Sequence, residues 1–124
     1  MRKLTILCCF FSQIVFASFD MNKNIQNSYS YIINLEFKKA NILLENELLE
    51  NPHNGFIPLY KNYIDFLTII ITEESNYFKS HHYLKKLRLK SLDKNDQDSP
   101  YYLYSKAEIN LQWAFSRLKF KQYP

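Results

Sequence analysis

Three short motifs in the sequence contain residue types that bind metal ions, and the first is Glu50-x-x-His53. Its i, i+3 spacing is that of the carboxylate–histidine pair in a helical di-iron site. Such a site needs a second Glu-x-x-His and further glutamates from other helices, and the sequence has no second Glu-x-x-His. Pro52 lies between the two residues, where it ends a helix. The motif therefore predicts a solvated helix end.

The second motif is the adjacent pair His81 and His82. Neighbouring side chains on a helix point about 100° apart, so the two imidazoles do not converge easily on one ion. No His-x-x-x-His pair occurs either. We expect one packed histidine and one exposed histidine.

The third motif, Asp93-x-Asn95-x-Gln97, begins like a calcium-binding loop. An EF-hand loop needs glycine at its sixth position and a bidentate glutamate at its twelfth. This sequence has Asp98 and Tyr104 at those positions. The loop therefore lacks both its sharp turn and its main ligand, and we expect no calcium site.

Other common catalytic patterns are missing from the sequence. With one glycine in 124 residues, it has neither a P-loop nor a dinucleotide-binding fingerprint. No Ser, His and Asp motif indicates nucleophilic catalysis. We predict no catalytic residue, no metal and no cofactor, and we expect that the protein is not an enzyme.

The densest basic run contains Lys85, Lys86, Arg88 and Lys90. It could contact phosphate or anionic lipid. However, it lies in the far half of a predicted helix that begins at Glu73-Glu74, and this order of charges complements the helix dipole. The whole chain has a formal charge of only +4. We therefore expect a solvated helix face and no nucleic-acid partner.

The first seventeen residues have the pattern of a signal peptide. Arg2 and Lys3 form a basic start, an apolar stretch follows, and Val15 and Ala17 stand at −3 and −1 of a cut before Ser18. The stretch is too short for a membrane span, which needs ~20 apolar residues. We expect residues 1–17 to be removed and the protein to be exported to the periplasm or cell envelope, with no transmembrane segment left.

Both cysteines, Cys8 and Cys9, fall within this signal segment. Lipidation at Cys8 would need a small residue before it, and Leu7 stands there instead. The mature chain would therefore be free of cysteine and stabilised by its core without disulfides.

Apolar residues repeat with helical spacing through residues 18–124, and no alternating strand pattern of useful length occurs. Turn signals lie at 51–55, which contains the only glycine, and at Ser99-Pro100, an N-cap followed by proline. The pattern predicts one all-α domain of antiparallel helical hairpins. Its helices are expected at about 21–33, 36–50, 56–71, 73–91 and 100–118.

The last predicted helix has small and apolar side chains on one face, namely Leu103, Ala107, Leu111, Ala114 and Leu118. We expect this face to be the core side, with the alanines allowing a neighbouring helix to approach. Leu111→Asp would then bury an unpaired charge and unfold the domain.

Two sets of side chains are candidates for contact with a partner. Tyr101, Tyr102 and Tyr104 cannot all face inward from one helix, and exposed tyrosines are enriched in binding surfaces. Lys61 and Asp65 lie on a narrow polar stripe of an otherwise apolar helix, which is typical of a helix packed between neighbours. We predict that Tyr101, Tyr104, Lys61 and Asp65 contact a partner protein.

The spacing of several residues resembles a known repeat. Phe37-Lys38-Lys39-Ala40 is followed by Pro52, twelve positions after Ala40, and Tyr31 stands nine positions before Ala40. This resembles the second half of a tetratricopeptide repeat, a helix–turn–helix unit of about 34 residues. Residues 118–123 resemble the turn between the two helices of such a repeat.

Over residues 34–123, and most clearly at 62–67 and 99–120, the chain resembles the N-terminal part of exported tetratricopeptide-repeat-like helical proteins of Gram-negative bacteria with no assigned function. The resemblance implies a tetratricopeptide-like α-α superhelix that is a scaffold for protein contacts, and it supplies no catalytic residue. Because 121–123 takes the place of the inter-helix turn, we expect the chain to be truncated inside a repeat. Apolar surface left uncovered there would favour self-association.

The sequence leaves three functions open. The function that we expect is an exported helical-repeat scaffold that binds another protein through a groove between hairpins. The first alternative is a small helical bundle that encloses an apolar ligand in its interior. The second alternative, a cytosolic nucleic-acid adaptor, requires residues 1–17 to be retained and the basic run to be used.

Overall fold

A computed structural model of the protein describes residues 18–121, and this part of the chain is helical. Its helices are α1 (Lys23–Ile33), α2 (Phe37–Glu50), α3 (Phe56–Thr72), α4 (Ser75–His81), α5 (Leu84–Leu92) and α6 (Pro100–Lys119). No strand occurs within these residues, so the predicted all-α class is confirmed. None of these six helices combines the length and apolar character needed to cross a bilayer. The predicted signal peptide at 1–17, with Cys8 and Cys9, and most of the predicted repeat turn at 121–123 lie outside the described residues.

Local side chains fix the starts of two helices. The side chain of Asn22 accepts a hydrogen bond from the backbone nitrogen of Ile25 (3.2 Å) and so caps α1. Ser99 caps α6 by accepting from the backbone nitrogen of Tyr101 (3.3 Å), with Pro100 at the start of the helix. The helix start predicted at Ser99-Pro100 is confirmed.

The single helix predicted at 73–91 is wrong, because the chain forms two helices there. Thr72 ends α3, and Glu73 is its C-cap in the left-handed conformation (φ 59°), so neither residue begins a helix. The α-helical hydrogen bonding is interrupted at His82 and Tyr83, whose backbone angles stay in the right-handed helical region, and it resumes at Leu84.

The break between α4 and α5 allows each helix to contact the core in its own direction. The ring of Phe78, on α4, lies 6.0 Å from the Trp113 ring and 5.1 Å from the Phe120 ring. Arg88, on α5, reaches back to α3 and donates from Nη1 to Asn62 Oδ1 (3.0 Å). We attribute the break to these two sets of contacts, which compete with the continuation of one straight helix.

The first three helices form two antiparallel pairs. At the start of α1 and the end of α2, Asn22 Nδ2 donates to Glu47 Oε1 (2.8 Å). Across the turn at 51–55, Lys61 Nζ of α3 lies 2.6 Å from Glu45 Oε1 of α2. It follows that α1 and α3 run in the same direction, with α2 running against both.

The helices α3 and α6 also run in the same direction. At their starts, the rings of Phe56 and Tyr101 have centroids 5.9 Å apart, and at their ends Lys119 Nζ donates to Glu73 Oε1 (2.7 Å). Between them in the chain, α5 runs in the opposite direction, since Asp93 at its C-terminal end accepts from the hydroxyl of Tyr102 near the start of α6 (2.7 Å). The helices α1, α3 and α6 therefore form one layer and α2 and α5 the other, while the short α4 packs against α3.

The core is built around α3, which contacts each of the other five helices. Its own buried side chains include Phe56, Leu59, Ile64 and Ile69. Each fully buried aliphatic or aromatic side chain contributes about 1.5–3 kcal/mol to folding through the hydrophobic effect. The prediction that this helix packs between neighbours is confirmed. The other helices add Ile25, Ile32, Ala40, Leu44, Phe78, Leu92, Tyr102, Ile109 and Trp113.

The prediction of which face of α6 packs on the core is wrong. All members of the predicted face, Leu103, Ala107, Leu111, Ala114 and Leu118, are exposed. The buried face instead contains Tyr102, Ser105, Ile109, Gln112, Trp113 and Ser116. The neighbouring α3 explains this choice, because it presents the buried amide of Asn62, which needs polar partners from α6.

The segment before α1 is joined to the turn between α2 and α3. The backbone nitrogen of Gly55 donates to the carbonyl of Ser18 (3.1 Å), and Asn54 Nδ2 donates to the carbonyl of Asp20 (2.8 Å). The Phe19 ring packs so closely on Gly55 that a β-carbon there would lie 2.5 Å from it. A larger residue at position 55 would therefore have to displace the Phe19 ring, whereas the backbone angles of Gly55 (φ −65°, ψ −17°) suit any residue.

Candidate binding site

An open groove of about 620 Å³ lies between α1, the first half of α3 and the start of α6. We call it the tyrosine groove. Its lining residues are Met21, Gln26, Tyr29, Phe56, Leu59, Tyr60, Tyr63, Pro100, Tyr101 and Tyr104. The three helices that form it belong to the same layer and run in the same direction, so the groove follows the valleys between neighbouring helices.

The spacing of the tyrosines on each helix positions them in the groove. Tyr60 and Tyr63 are three residues apart on α3 and lie along the floor, where Tyr60 is only 5% exposed. Tyr101 and Tyr104 have the same spacing on α6 and form one wall, while Tyr29 of α1 forms the other. The wall tyrosines are exposed, and the floor tyrosines are held in the fold.

The rings form a connected aromatic surface. The centroid of Tyr60 lies 5.6 Å from those of Tyr29 and Phe56, and 6.4 Å from that of Tyr63. The Tyr101 ring contacts Phe56 at 5.9 Å. These separations are within the range for favourable aromatic pairs. The surface is therefore largely apolar, with hydroxyl groups at its edges.

The hydroxyl of Tyr63 joins the groove to polar groups beside it. It donates to Glu108 Oε1 (2.9 Å) and lies 3.1 Å from the hydroxyl of Tyr104. Burial raises the pKa of Tyr60 to about 12, and burial together with these hydrogen bonds also raises the pKa of Tyr63. Both phenols therefore stay protonated to a higher pH than an exposed tyrosine does.

A buried polar network lies behind the groove and has Asn62 at its centre. Asn62 Oδ1 accepts from Trp113 Nε1 (2.7 Å) and from Arg88 Nη1 (3.0 Å). Its Nδ2 donates to Gln112 Oε1 (2.6 Å), and Gln112 Nε2 donates to Glu108 Oε1 (3.0 Å). Through Glu108, the network reaches the hydroxyl of Tyr63. The network thus fixes α5 and α6 on α3 and supports the floor of the groove.

Asp65 does not form part of an accessible surface, which corrects its prediction as a contact residue. It is 6% exposed and is ion-paired with Arg88 through Oδ2, while its Oδ1 accepts from the hydroxyl of Tyr77 (2.7 Å). The pKa of Tyr77 is raised mainly by burial and in addition by this hydrogen bond. Asp65 therefore lies on the polar stripe of α3 because it belongs to a buried ion pair. The sequence alone does not identify its partner.

The other three predicted contact residues are accessible, but the structure does not bring them all together. Tyr101 and Tyr104 are exposed walls of the tyrosine groove. Lys61 lies away from it, where it is paired with Glu45 on α2. Sequence reasoning missed the groove tyrosines of α1 and α3, although their signal was the count of ten tyrosines in the chain.

The three motifs considered for metal binding have local roles. Glu50 and His53 are exposed at the end of α2 and in the turn after it. The His81 ring stacks on Tyr77 with centroids 3.9 Å apart, and Asp93 Oδ1 accepts from the hydroxyl of Tyr102 (2.7 Å). Within residues 18–121, no group of three or more His, Cys, Asp or Glu side chains could hold a metal ion.

The basic run is divided between the surface and the core. Lys85, Lys86 and Lys90 line a shallow surface pocket together with Arg117. The pKa of Lys85 is lowered mainly by burial and in addition by the nearby positive charge of Arg117. Arg88 instead points into the buried network. Arg88 therefore has a structural role, although the sequence does not distinguish it from the neighbouring lysines of the run.

Comparisons with known proteins add no information on this site. A scan of protein-family models, a search of curated proteins and a search of solved structures each gave no match.

Proposed function

We propose that the protein is an exported helical scaffold that binds another protein through the tyrosine groove, and that it acts by binding and not by catalysis. The observation that supports this proposal is a connected surface of five aromatic rings at the junction of three helices, with the Tyr104 hydroxyl joined to it at Tyr63. Exposed tyrosines concentrate binding energy in protein interfaces, because a large apolar ring carries a hydroxyl and has few rotatable bonds.

The exposure of the walls supports contact with a macromolecule. Tyr101 is 57% exposed and Tyr104 is 54% exposed, and neither side chain is needed to fill the core. The floor beneath them is fixed by Glu108 and the Asn62 network, so little conformational entropy is lost when a partner binds. A rigid floor with accessible aromatic walls suits a peptide segment or a helix laid along the groove.

We also propose that the scaffold is of the tetratricopeptide type. Supporting this, α1, α3 and α6 form one layer in the same direction, and each of the first two is followed by an antiparallel partner in the other layer. Hairpins stacked in this way create an extended groove along one layer, and the tyrosine groove lies on that layer.

Export through removal of residues 1–17 is consistent with the packing at Ser18. Ser18 and Phe19 contact the turn at Gly55, so the expected first residues of the mature chain belong to the folded domain. Mass spectrometry of the protein isolated from its native cells is expected to show Ser18 as the N-terminal residue. An intact Met1 would rule out export through this cut.

The binding proposal can be tested with a displayed library of random linear peptides selected on the purified protein. Peptides selected on the wild type are expected to lose at least about tenfold in affinity for Tyr101→Ala/Tyr104→Ala. Tyr83→Ala is the matched control, because Tyr83 is an exposed tyrosine outside the groove (58% exposed). Equal affinity for all three proteins would contradict the proposal.

A second candidate function, binding of an apolar small molecule, is favoured by the size of the groove. A volume of about 620 Å³ lies within the range of small-molecule sites, and most of the lining is aromatic or aliphatic. This groove lies at the surface between helices and not inside a bundle. Organic extraction of the natively purified protein, followed by mass spectrometry, would reveal a stoichiometric apolar compound if this candidate is correct.

A further inference from the structure

We propose that the outer face of α6 is a surface on which a second copy of this chain docks about a twofold axis, with the two α6 helices antiparallel. We define the outer face by the stripe of five residues Leu103, Ala107, Leu111, Ala114 and Leu118, with Phe115 flanking the stripe. The five stripe residues recur every three or four positions along the whole helix. The stripe lies opposite the buried face of α6, so no other described helix covers it.

The exposure of the stripe is high for an apolar surface. Leu103 is 58% exposed, Phe115 is 51% exposed, and Leu111 and Leu118 are each 50% exposed. Lone exposed apolar residues are ordinary on protein surfaces, but contiguous ones usually mark an interaction surface. Here they are contiguous over nearly the full length of a 20-residue helix.

The order of side chains along the stripe makes it complementary to itself. Read in either direction, it runs Leu, Ala, Leu, Ala, Leu, with Leu111 near the middle. In an antiparallel pair, Leu103 of one copy would therefore lie opposite Leu118 of the other, and Ala107 opposite Ala114. An isologous interface requires this self-complementarity. The alanines would allow the two backbones to approach closely between the leucines.

The area of the stripe fits a stable dimer. A half-exposed leucine or phenylalanine leaves roughly 80–100 Å² in water, so Leu103, Leu111, Phe115 and Leu118 together expose on the order of 400 Å² of apolar surface in each copy. Two facing copies could bury up to about 800 Å² of apolar surface, which matches the apolar share of an interface of about 1,400 Å² in total. This area favours a second copy over a short peptide, which could cover only part of the stripe.

The test is the mass of the purified full chain in solution, measured by sedimentation across a range of concentrations that reaches about 100 μM, with charged variants at the centre of the stripe. The wild type is expected to sediment with the mass of a dimer. Leu111→Asp and Leu111→Lys are each expected to sediment with half that mass, because like charges would meet near the axis. An equimolar mixture of the two variants is expected to recover the dimer mass, since opposite charges would then meet.

A matched control separates this surface from exposed leucines in general. Leu87, on α5, is 54% exposed, and Leu87→Asp is expected to remain a dimer. Circular dichroism of each variant verifies that it is folded. The proposal is overturned if the wild type is a monomer throughout, if Leu111→Asp remains a dimer, or if the mixture of Asp and Lys variants stays monomeric.

Discussion

The hydroxyl groups of Tyr63 and Tyr104, which belong to α3 and α6, lie 3.1 Å apart, and the Tyr63 hydroxyl also donates to the carboxylate of Glu108. This contact joins an accessible wall of the tyrosine groove to the buried network around Asn62. The groove is therefore a consequence of how α6 packs on α3. Substitutions in the network should alter stability, and substitutions on the walls should alter binding alone.

Removal of one partner from the buried ion pair should strongly destabilise the fold. In Arg88→Met, the carboxylate of Asp65 would stay in the core without its charge partner and with one hydrogen bond fewer. The free energy of unfolding, measured by urea denaturation, is expected to fall by about 3–5 kcal/mol. The double variant Arg88→Met/Asp65→Asn should recover part of this loss, because no uncompensated charge remains.

An exposed ion pair provides the comparison. Lys61 and Glu45 are paired at the surface, and Lys61→Met is expected to change the unfolding free energy by less than about 1 kcal/mol. Equal effects of Lys61→Met and Arg88→Met would show that the Arg88–Asp65 pair does not lie in the core.

Glu47 should make stability depend on pH in the acid range. Its side chain is fully buried, and although burial opposes ionisation, donors from Asn54, Asn22, Asn51 and Asn24 lower its pKa below 4.5. Because the folded-state pKa is lower than the unfolded-state pKa, the stabilising contribution is present above about pH 4.5 and is lost as the pH falls through the folded-state value.

Denaturation of Glu47→Gln at several pH values checks this prediction. The variant is expected to lose about 1–3 kcal/mol at neutral pH, since a buried amide would face the asparagine donors, and to show a shallower decline in acid. Glu50→Gln, at an exposed position of the same helix, should change stability by less than about 0.5 kcal/mol. An acid decline in Glu47→Gln as steep as in the wild type would exclude Glu47 as its source.

The buried tyrosines should make the protein sensitive to alkali. Burial raises the pKa of Tyr60 to about 12, and those of Tyr63 and Tyr77 are raised as well. A raised folded-state pKa gives a stabilising contribution that is complete below the unfolded value of 10.0 and is lost as the pH rises above it. Urea midpoints measured from pH 8 upward should therefore fall above pH 10, together with the appearance of phenolate absorbance. Tyr60→Phe should reduce this fall and Tyr83→Phe should not.

Opposite faces of α6 should respond differently to the same substitution. Ile109 is fully buried and Leu111 is half exposed. In dilute solution, where self-association does not contribute, Ile109→Asp is expected to unfold the protein, because it buries an unpaired charge. Leu111→Asp should stay within about 0.5 kcal/mol of the wild type. Thermal unfolding followed by circular dichroism measures both, and unfolding of Leu111→Asp would show that the outer face is packed.

The sequence predicted the helices better than the faces they bury. Helical spacing and the Ser99-Pro100 signal located most of the helices, because they depend on local chemistry. The buried face of α6 could not be predicted from its own residues, since the helix is apolar on two sides and the amide of Asn62, fifty residues away from Gln112, decides between them. The partner of Asp65 was hidden for the same reason, because Arg88 is one cation in a basic run and only the fold distinguishes it.

The measurement that tests the tyrosine groove most directly is site-specific photo-crosslinking in the native cells. A photoreactive phenylalanine analogue replaces Tyr101 in the groove or, as the control, Tyr83 outside it, two positions with 57% and 58% exposure. If the groove is the binding surface, the analogue at position 101 forms a discrete protein adduct. Tyr104→Ala weakens this adduct, and the analogue at position 83 does not form it. No adduct from position 101, or the same adduct from position 83, would contradict it.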